Sequence, residues 1–185
     1  MKDKQLTWTT TKVTPLLHTP VFDVQGQEEV SGTGLTGNYV AVTAPEWVVI
    51  VPVYQGNFVM VRQWRHGEDR ITVEMPGGVC NKDEDPAVTA KRELLEETGF
   101  EAKKLTYLGT CSSNPALFKN HFRAYLAEDL VPTGEQHLDD DELLNYELVP
   151  IPEAIKNFGS GDYTHAFTGT AMFFYLRHIG CVPEA

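Results

Sequence analysis

Gly78-Val-Cys-Asn-Lys-Asp-Glu84-Asp-Pro-Ala-Val-Thr-Ala-Lys-Arg92-Glu93-Leu94-Leu-Glu96-Glu97-Thr-Gly99-Phe100 is the stretch that decides the fold. It carries both ends of a helix. Asp85 suits the N-cap, Pro86 the first helical position and Gly99 the position just past the C-terminal cap. Between them, residues 87–98 contain neither Gly nor Pro. At 100° per residue, Glu93, Glu96 and Glu97 fall within an arc of roughly 100°. Leu94 and Leu95 point to the other side and can bury, while Lys91 must extend its stem past them to reach water. Like charges at i,i+3 and i,i+4 repel, so the trio is costly unless a cation sits on it. A divalent metal ion meets that need, and metal plus water points to hydrolysis of a phosphate compound.

Two other readings compete. A solvated acidic helix face would explain the charges but not the fixed glycine, glutamate and arginine around them. An EF-hand loop would use the alternation of Asn81, Asp83 and Asp85, but Pro86 occupies the place of its required glycine and Arg92 that of its bidentate glutamate.

The segment from Gly78 to Phe100 resembles a complete Nudix box, with Glu84, Arg92-Glu93-Leu94, Glu96-Glu97 and Gly99 at the defining positions. Softer similarity extends over residues 39–179. The resemblance implies an α+β fold, an α/β/α sandwich with a mixed β-sheet between helices and the box on a loop–helix–loop. It implies hydrolysis of a nucleoside diphosphate linked to another moiety, with two or three Mg²⁺ or Mn²⁺ ions. Glu93, Glu96 and Glu97 would be the metal ligands, joined by the backbone carbonyl of Gly77. Arg92 and Glu84 would organise them, since an arginine among carboxylates limits their repulsion.

The nucleophile would be water, deprotonated by a carboxylate. That base is a box glutamate, Glu93, in some family members. In ADP-ribose-type members it is a glutamate on a loop after the central sheet, matched here by residues 134–142, with Glu142 the first candidate and Asp140 the second. Similarity to ADP-ribose pyrophosphatase-like members rests on three agreements: Gln63-Trp64-Arg65, Glu74-Met75-Pro76-Gly77-Gly78, and Pro115, 15 residues beyond Phe100. Arg65, Glu74, Pro115 and Trp47 are therefore the expected substrate-binding residues. GDP-mannose or another nucleotide sugar is the alternative substrate. A triphosphate-cleaning enzyme fits the proline less well, and a ligand sensor without turnover would not need every carboxylate.

Composition agrees with a soluble enzyme. The chain has 185 residues, 42% hydrophobic and 22% charged, with a formal net charge of −11, which disfavours a nucleic acid strand as partner. The same acidity would repel a pyrophosphate unless bound cations reverse the local sign, so strict metal dependence is expected. Cys80, Cys111 and Cys181 are odd in number and unpaired in spacing, as in a reducing cytoplasm. No apolar run approaches the ~18 residues of a membrane span, and the N-terminus does not read as a signal peptide.

Residues 1–40 read as a β arm, with strands over 5–13, 21–30 and 37–42 and a break over 14–20. In related pyrophosphatases such an arm helps form a dimer, so the resemblance implies a homodimer. Residues 41–185 read as the Nudix domain. Its strands are expected over 47–53, 57–62, 71–75, 105–111, 121–127 and 146–149. A short helix is expected over 152–157 and a longer one over 166–178, capped by Thr164. The six histidines, His165 among them, read as structural or surface residues.

Overall fold

The computed structural model describes residues 3–139 and 142–182. The chain divides into two compact units, Met1–Pro45 with Ser112–His121, and Glu46–Cys111 with Phe122–Ala185.

In the first unit, a 3-10 turn at Lys4–Leu6 precedes β1 (Trp8–His18), β2 (Asp23–Ser31) and β3 (Thr36–Thr43), which pair antiparallel in that order. The break expected over 14–20 comes later. β1 runs through Pro15 because it is an edge strand, where a missing N–H removes no ladder bond. A register shift between Pro15 and Leu17 absorbs the irregularity. The turn follows at Thr19, whose hydroxyl accepts the Phe22 N–H at 2.9 Å. The unit reaches Pro45, past residue 40, and gathers 112–121 through bonds from Val42 to Leu117 and from Lys119 to Val42.

In the second unit, β4 (Trp47–Tyr54) turns at Gln55 and Gly56, both at positive φ, into β5 (Asn57–Arg65). There follow β6 (Arg70–Glu74), α1 (Pro86–Thr98), β7 (Phe100–Ser112), β8 (His121–Pro132), β9 (Leu144–Pro150), α2 (Ile151–Asn157) and α3 (Ala166–His178). The sheet order is β6-β5-β4-β8-β7, with β9 also on β5; β4 and β8 are parallel, so the sheet is mixed. Its two faces follow from the period of two along a strand. Val49 and Val51 of β4 join Phe58 and Met60 in a core with Ala171, Met172 and Tyr175 of α3. Val48 and Ile50 point the other way, to Ala90 and Leu94 of α1. The sheet is thus sandwiched between α1 and the α2–α3 pair.

The ends of α1 are set locally. Asp85 accepts the Ala87 N–H at 2.8 Å, and Gly99 adopts φ 68° while returning its N–H to Leu95. For α3 the expected cap is corrected: His165 is the N-cap residue, and the Thr164 hydroxyl is taken by Arg70 and Glu68. Among the described residues no helix is long and apolar enough to cross a membrane. The three cysteines are free, Cys80 buried and Cys181 exposed.

Candidate active site

Between β6 and α1 the chain lays residues 76–80 alongside β4. Ile50 donates to Pro76 O at 2.8 Å, Val48 to Gly78 O at 2.9 Å, and Cys80 to Glu46 O at 2.9 Å. Any side chain at 77 or 78 would have to displace a neighbour. A Cβ on Gly77 would strike the Val48 carbonyl, and one on Gly78 would stand 2.5 Å from the Glu93 carboxylate. The bare backbone therefore closes directly on α1, and the Gly77 N–H donates to Glu97 Oε2 at 2.9 Å.

This contact forms one wall of a cleft of about 380 Å³. Glu93, Glu97 and Arg92 line it from α1, Gln63 and Arg65 from the end of β5, Trp47 from the start of β4, and Asp139 and Glu142 from the loop before β9. The sequence marks Gln63 only as part of the Gln63-Trp64-Arg65 agreement and Asp139 only as part of residues 134–142, neither as a site residue. Gln63 was legible in principle, because it is two residues from Arg65 on a strand and so shares its face.

Arg92 organises the acidic side. Its Nη1 lies 2.9 Å from Glu93 Oε1 and 2.8 Å from Glu96 Oε2, and its Nε lies 3.4 Å from Glu84 Oε1. Glu84 also accepts the Asn81 N–H, and the hydrogen bond from Arg92 holds its carboxyl below the usual range. Glu96 is thus drawn onto Arg92 and does not line the cleft. Among the described residues no three His, Cys, Asp or Glu side chains are gathered about a common point.

Burial and like charge act together on the carboxylates of the cleft. Burial pushes the Glu93 carboxyl up to about 7, against the pull of Arg92 and with the push of Glu96 and Glu142. Burial pushes Glu97 well above its ordinary value; the Gly77 N–H opposes this, and the Glu93 and Glu142 charges add to it. Two largely buried carboxylates facing one cleft offer the oxygen donors that a hard divalent ion takes, and Glu93 and Glu97 fit that role.

Arg65 supplies the fixed positive charge opposite. Its guanidinium grips Glu74 with two bonds, Nε to Oε1 at 2.8 Å and Nη2 to Oε2 at 2.5 Å. Thr72 donates to Oε1 at 2.5 Å, and His165 Nδ1 lies 2.9 Å from Oε2. Burial alone would raise the Glu74 carboxyl, but bonds from Arg65 and His165 and their charges outweigh it and hold it at about 2. Glu74 is 0% exposed. Its carboxylate is taken up by Arg65, Thr72 and His165.

Trp47 lines the cleft and meets Phe167 edge to face at 5.6 Å. Pro115 belongs to the first unit, in the turn closed by Leu117 N to Asn114 O. Asp140, the second candidate base, lies outside the described residues. The loop bearing Glu142 is pinned to the end of α1. There Gln136 Nε2 donates to Glu97 O at 2.5 Å and the His137 N–H to Glu96 O at 2.9 Å. Neither anchor was foreseen, because their partners are backbone carbonyls some 40 residues back.

The NUDIX domain matches residues 44–167. The chain is 33% identical over 154 residues to the ADP-ribose pyrophosphatase of Bacillus subtilis (strain 168), covering 82% of this chain and 83% of that protein. It is also 33% identical over 125 residues to the methanol dehydrogenase activator of Bacillus methanolicus, 66% and 68% of the two chains. A crystal structure of an ADP compounds hydrolase superposes with a TM-score of 0.82 at 25% identity, covering 95% of this chain and 97% of that one. A domain match over most of the chain, on a sandwich that superposes so far along its length, places the protein in the Nudix family, and it is a Nudix hydrolase.

Proposed function

We propose that the protein hydrolyses the pyrophosphate bond of a nucleoside diphosphate sugar, ADP-ribose foremost, giving AMP and ribose 5-phosphate. The observation that carries this is the cleft itself. Two cation-seeking carboxylates, Glu93 and Glu97, face a guanidinium, Arg65, across a space of about 380 Å³. Likeness to an ADP-ribose pyrophosphatase over 82% of the chain supports the substrate.

Nudix hydrolases in general use divalent metals. Glu93 and Glu97, with Glu96 released from Arg92 and the Gly77 carbonyl, would hold two or three Mg²⁺ or Mn²⁺ ions. When bound, these supply Lewis acidity and neutralise phosphate charge. The chain's own residues do the rest. With its Nε and Nη2 edge held by Glu74, Arg65 meets phosphate oxygens through Nη1 and the second Nη2 hydrogen. Arg92 and Glu84 keep Glu93 in place. Glu142 takes a proton from the attacking water as the new P–O bond forms and the bridging P–O bond breaks.

The first unit would join two copies into a homodimer, and the three free cysteines suit a reducing cytoplasm. The test is a panel of nucleotide sugars assayed with Mg²⁺, with Mn²⁺ and with EDTA. We expect AMP release from ADP-ribose that EDTA abolishes. Faster turnover of GDP-mannose would move the substrate, and tight binding without turnover would make the protein a sensor.

A further inference from the structure

The first turn of α3 contains no residue that the reaction calls for, but three of its side chains brace three walls of the cleft. His165 is the N-cap residue by backbone, and its side chain makes no capping bond. Its Nδ1 instead lies 2.9 Å from Glu74 Oε2 and 3.2 Å from Thr168 Oγ1. Glu74 in turn grips Arg65, whose side chain is 30% exposed and lines the cleft. Thr168, wholly buried, accepts the Met75 N–H at 2.9 Å. Met75 stands two residues before Gly77, which holds Glu97. Phe167 packs edge to face on Trp47 and stacks on Phe122 at 4.5 Å.

Packing alone does not explain this arrangement. A buried ion pair stabilises a core no better than apolar residues of the same volume, so a turn that only filled space would be served by leucines. What the polar version adds is direction. Four donor contacts on one carboxylate leave the Arg65 guanidinium plane a single orientation, and one hydroxyl fixes the height of the glycine loop.

We propose that the His165–Thr168 turn is a positioning element for the reaction, with His165 aiming Arg65 through Glu74 and Thr168 aligning the Gly77–Gly78 loop through Met75. The proposal deepens the function given above, because it takes Arg65 to meet the substrate phosphates. The two residues act on different steps. Loosening Arg65 weakens ground state and transition state alike and raises KM. Loosening the glycine loop displaces Glu97 and lowers kcat.

The test is steady-state hydrolysis of ADP-ribose with Mg²⁺. His165→Ala is expected to raise KM roughly tenfold with kcat within about twofold. Thr168→Val is expected to lower kcat roughly tenfold with KM within about twofold. His165→Asn, which keeps a donor near the Nδ1 position, and Thr168→Ser should each restore most of the loss. In an Arg65→Lys background, His165→Ala should add no further rise in KM. Equal loss of both parameters in both variants, additive effects with Arg65→Lys, or failure of the conservative variants to rescue would overturn the proposal. His165→Phe stands in should the alanine variant not fold.

If the wild type hydrolyses no ADP-ribose, the substrate assignment fails while the positioning role is still decided without turnover. The Arg65 Nε–H resonance of ¹⁵N-labelled protein, assigned by its loss in Arg65→Lys, should shift and broaden in His165→Ala and return in His165→Asn. An unmoved signal would sink the proposal.

Discussion

Glu97 shows burial and chemistry pulling in opposite directions. Its carboxylate is 2% exposed, with the Gly77 N–H as its hydrogen-bond donor and two further carboxylates nearby. Without a cation, ionising it is costly. Glu97→Gln keeps the shape and an acceptor for Gly77 but removes the charge. It should leave the metal-free protein as stable as the wild type or more so, seen as an equal or higher Tm in EDTA. The same change should lower kcat by at least roughly two orders of magnitude in Mg²⁺. Near-normal turnover would remove Glu97 from the metal site. Glu142 is the complementary case, a carboxylate at the cleft mouth on a loop anchored by Gln136 and His137. Glu142→Gln should lower kcat far more than KM, and an unchanged rate would move the base to Glu93 or Asp140.

The elements divide by whether their determinants are local. α1 was legible almost to the residue because Asp85, Pro86 and Gly99 lie within it or beside it. β4 was legible as an unbroken apolar run buried on both faces. Less visible was whatever depends on a distant partner. β1 runs past Pro15 only because its far side is unpaired, residues 112–121 join the first unit through Val42, and Thr164 is claimed by Arg70. The acidic trio was legible as a cluster but not its division, since the reach of Arg92 to Glu96 depends on rotamers. His165 and Thr168 were beyond reading, because their partners lie over 90 residues earlier. The glycine loop carries the element-scale prediction. Gly78→Ala drives a methyl into the Glu93 carboxylate, an end of a side chain that can yield by rotating. Rotation spares the fold but misplaces the ligand. Activity should therefore fall by at least roughly tenfold while Tm moves by no more than a few degrees. A large Tm loss with normal kcat per folded molecule would show that the loop, not the carboxylate, gives way.

At the scale of the molecule, two features call for a partner or a cation. All eleven residues of β1 are exposed, Val13, Leu16 and Leu17 among them, and an edge strand of that length is a liability unless something covers it. Glu substituted at both Leu16 and Leu17 should shift the proposed dimer towards monomer by light scattering; an unchanged mass would place the interface elsewhere. The second feature is a stability profile with two limbs. Glu74 is held at about 2, below its unfolded value. Between about pH 2 and the usual carboxylate range near 4.3 the unfolded state therefore binds the extra proton, and stability rises with pH. Glu93, pushed up to about 7, and Glu97, raised well above its ordinary value, act oppositely. From the usual carboxylate range to about pH 7 the folded state holds protons that the unfolded state has lost, so stability falls as pH rises. Urea unfolding in EDTA should accordingly peak between the two windows. Mg²⁺ should lift the upper limb, because binding to the ionised folded state stabilises it by mass action. General repulsion among the other acidic groups of this −11 chain would also lower stability at high pH. Glu93→Gln with Glu97→Gln separates the two causes. If the active-site pair is responsible, that variant loses most of the upper slope in EDTA and gains nothing from Mg²⁺; if the slope persists, it belongs to the surface.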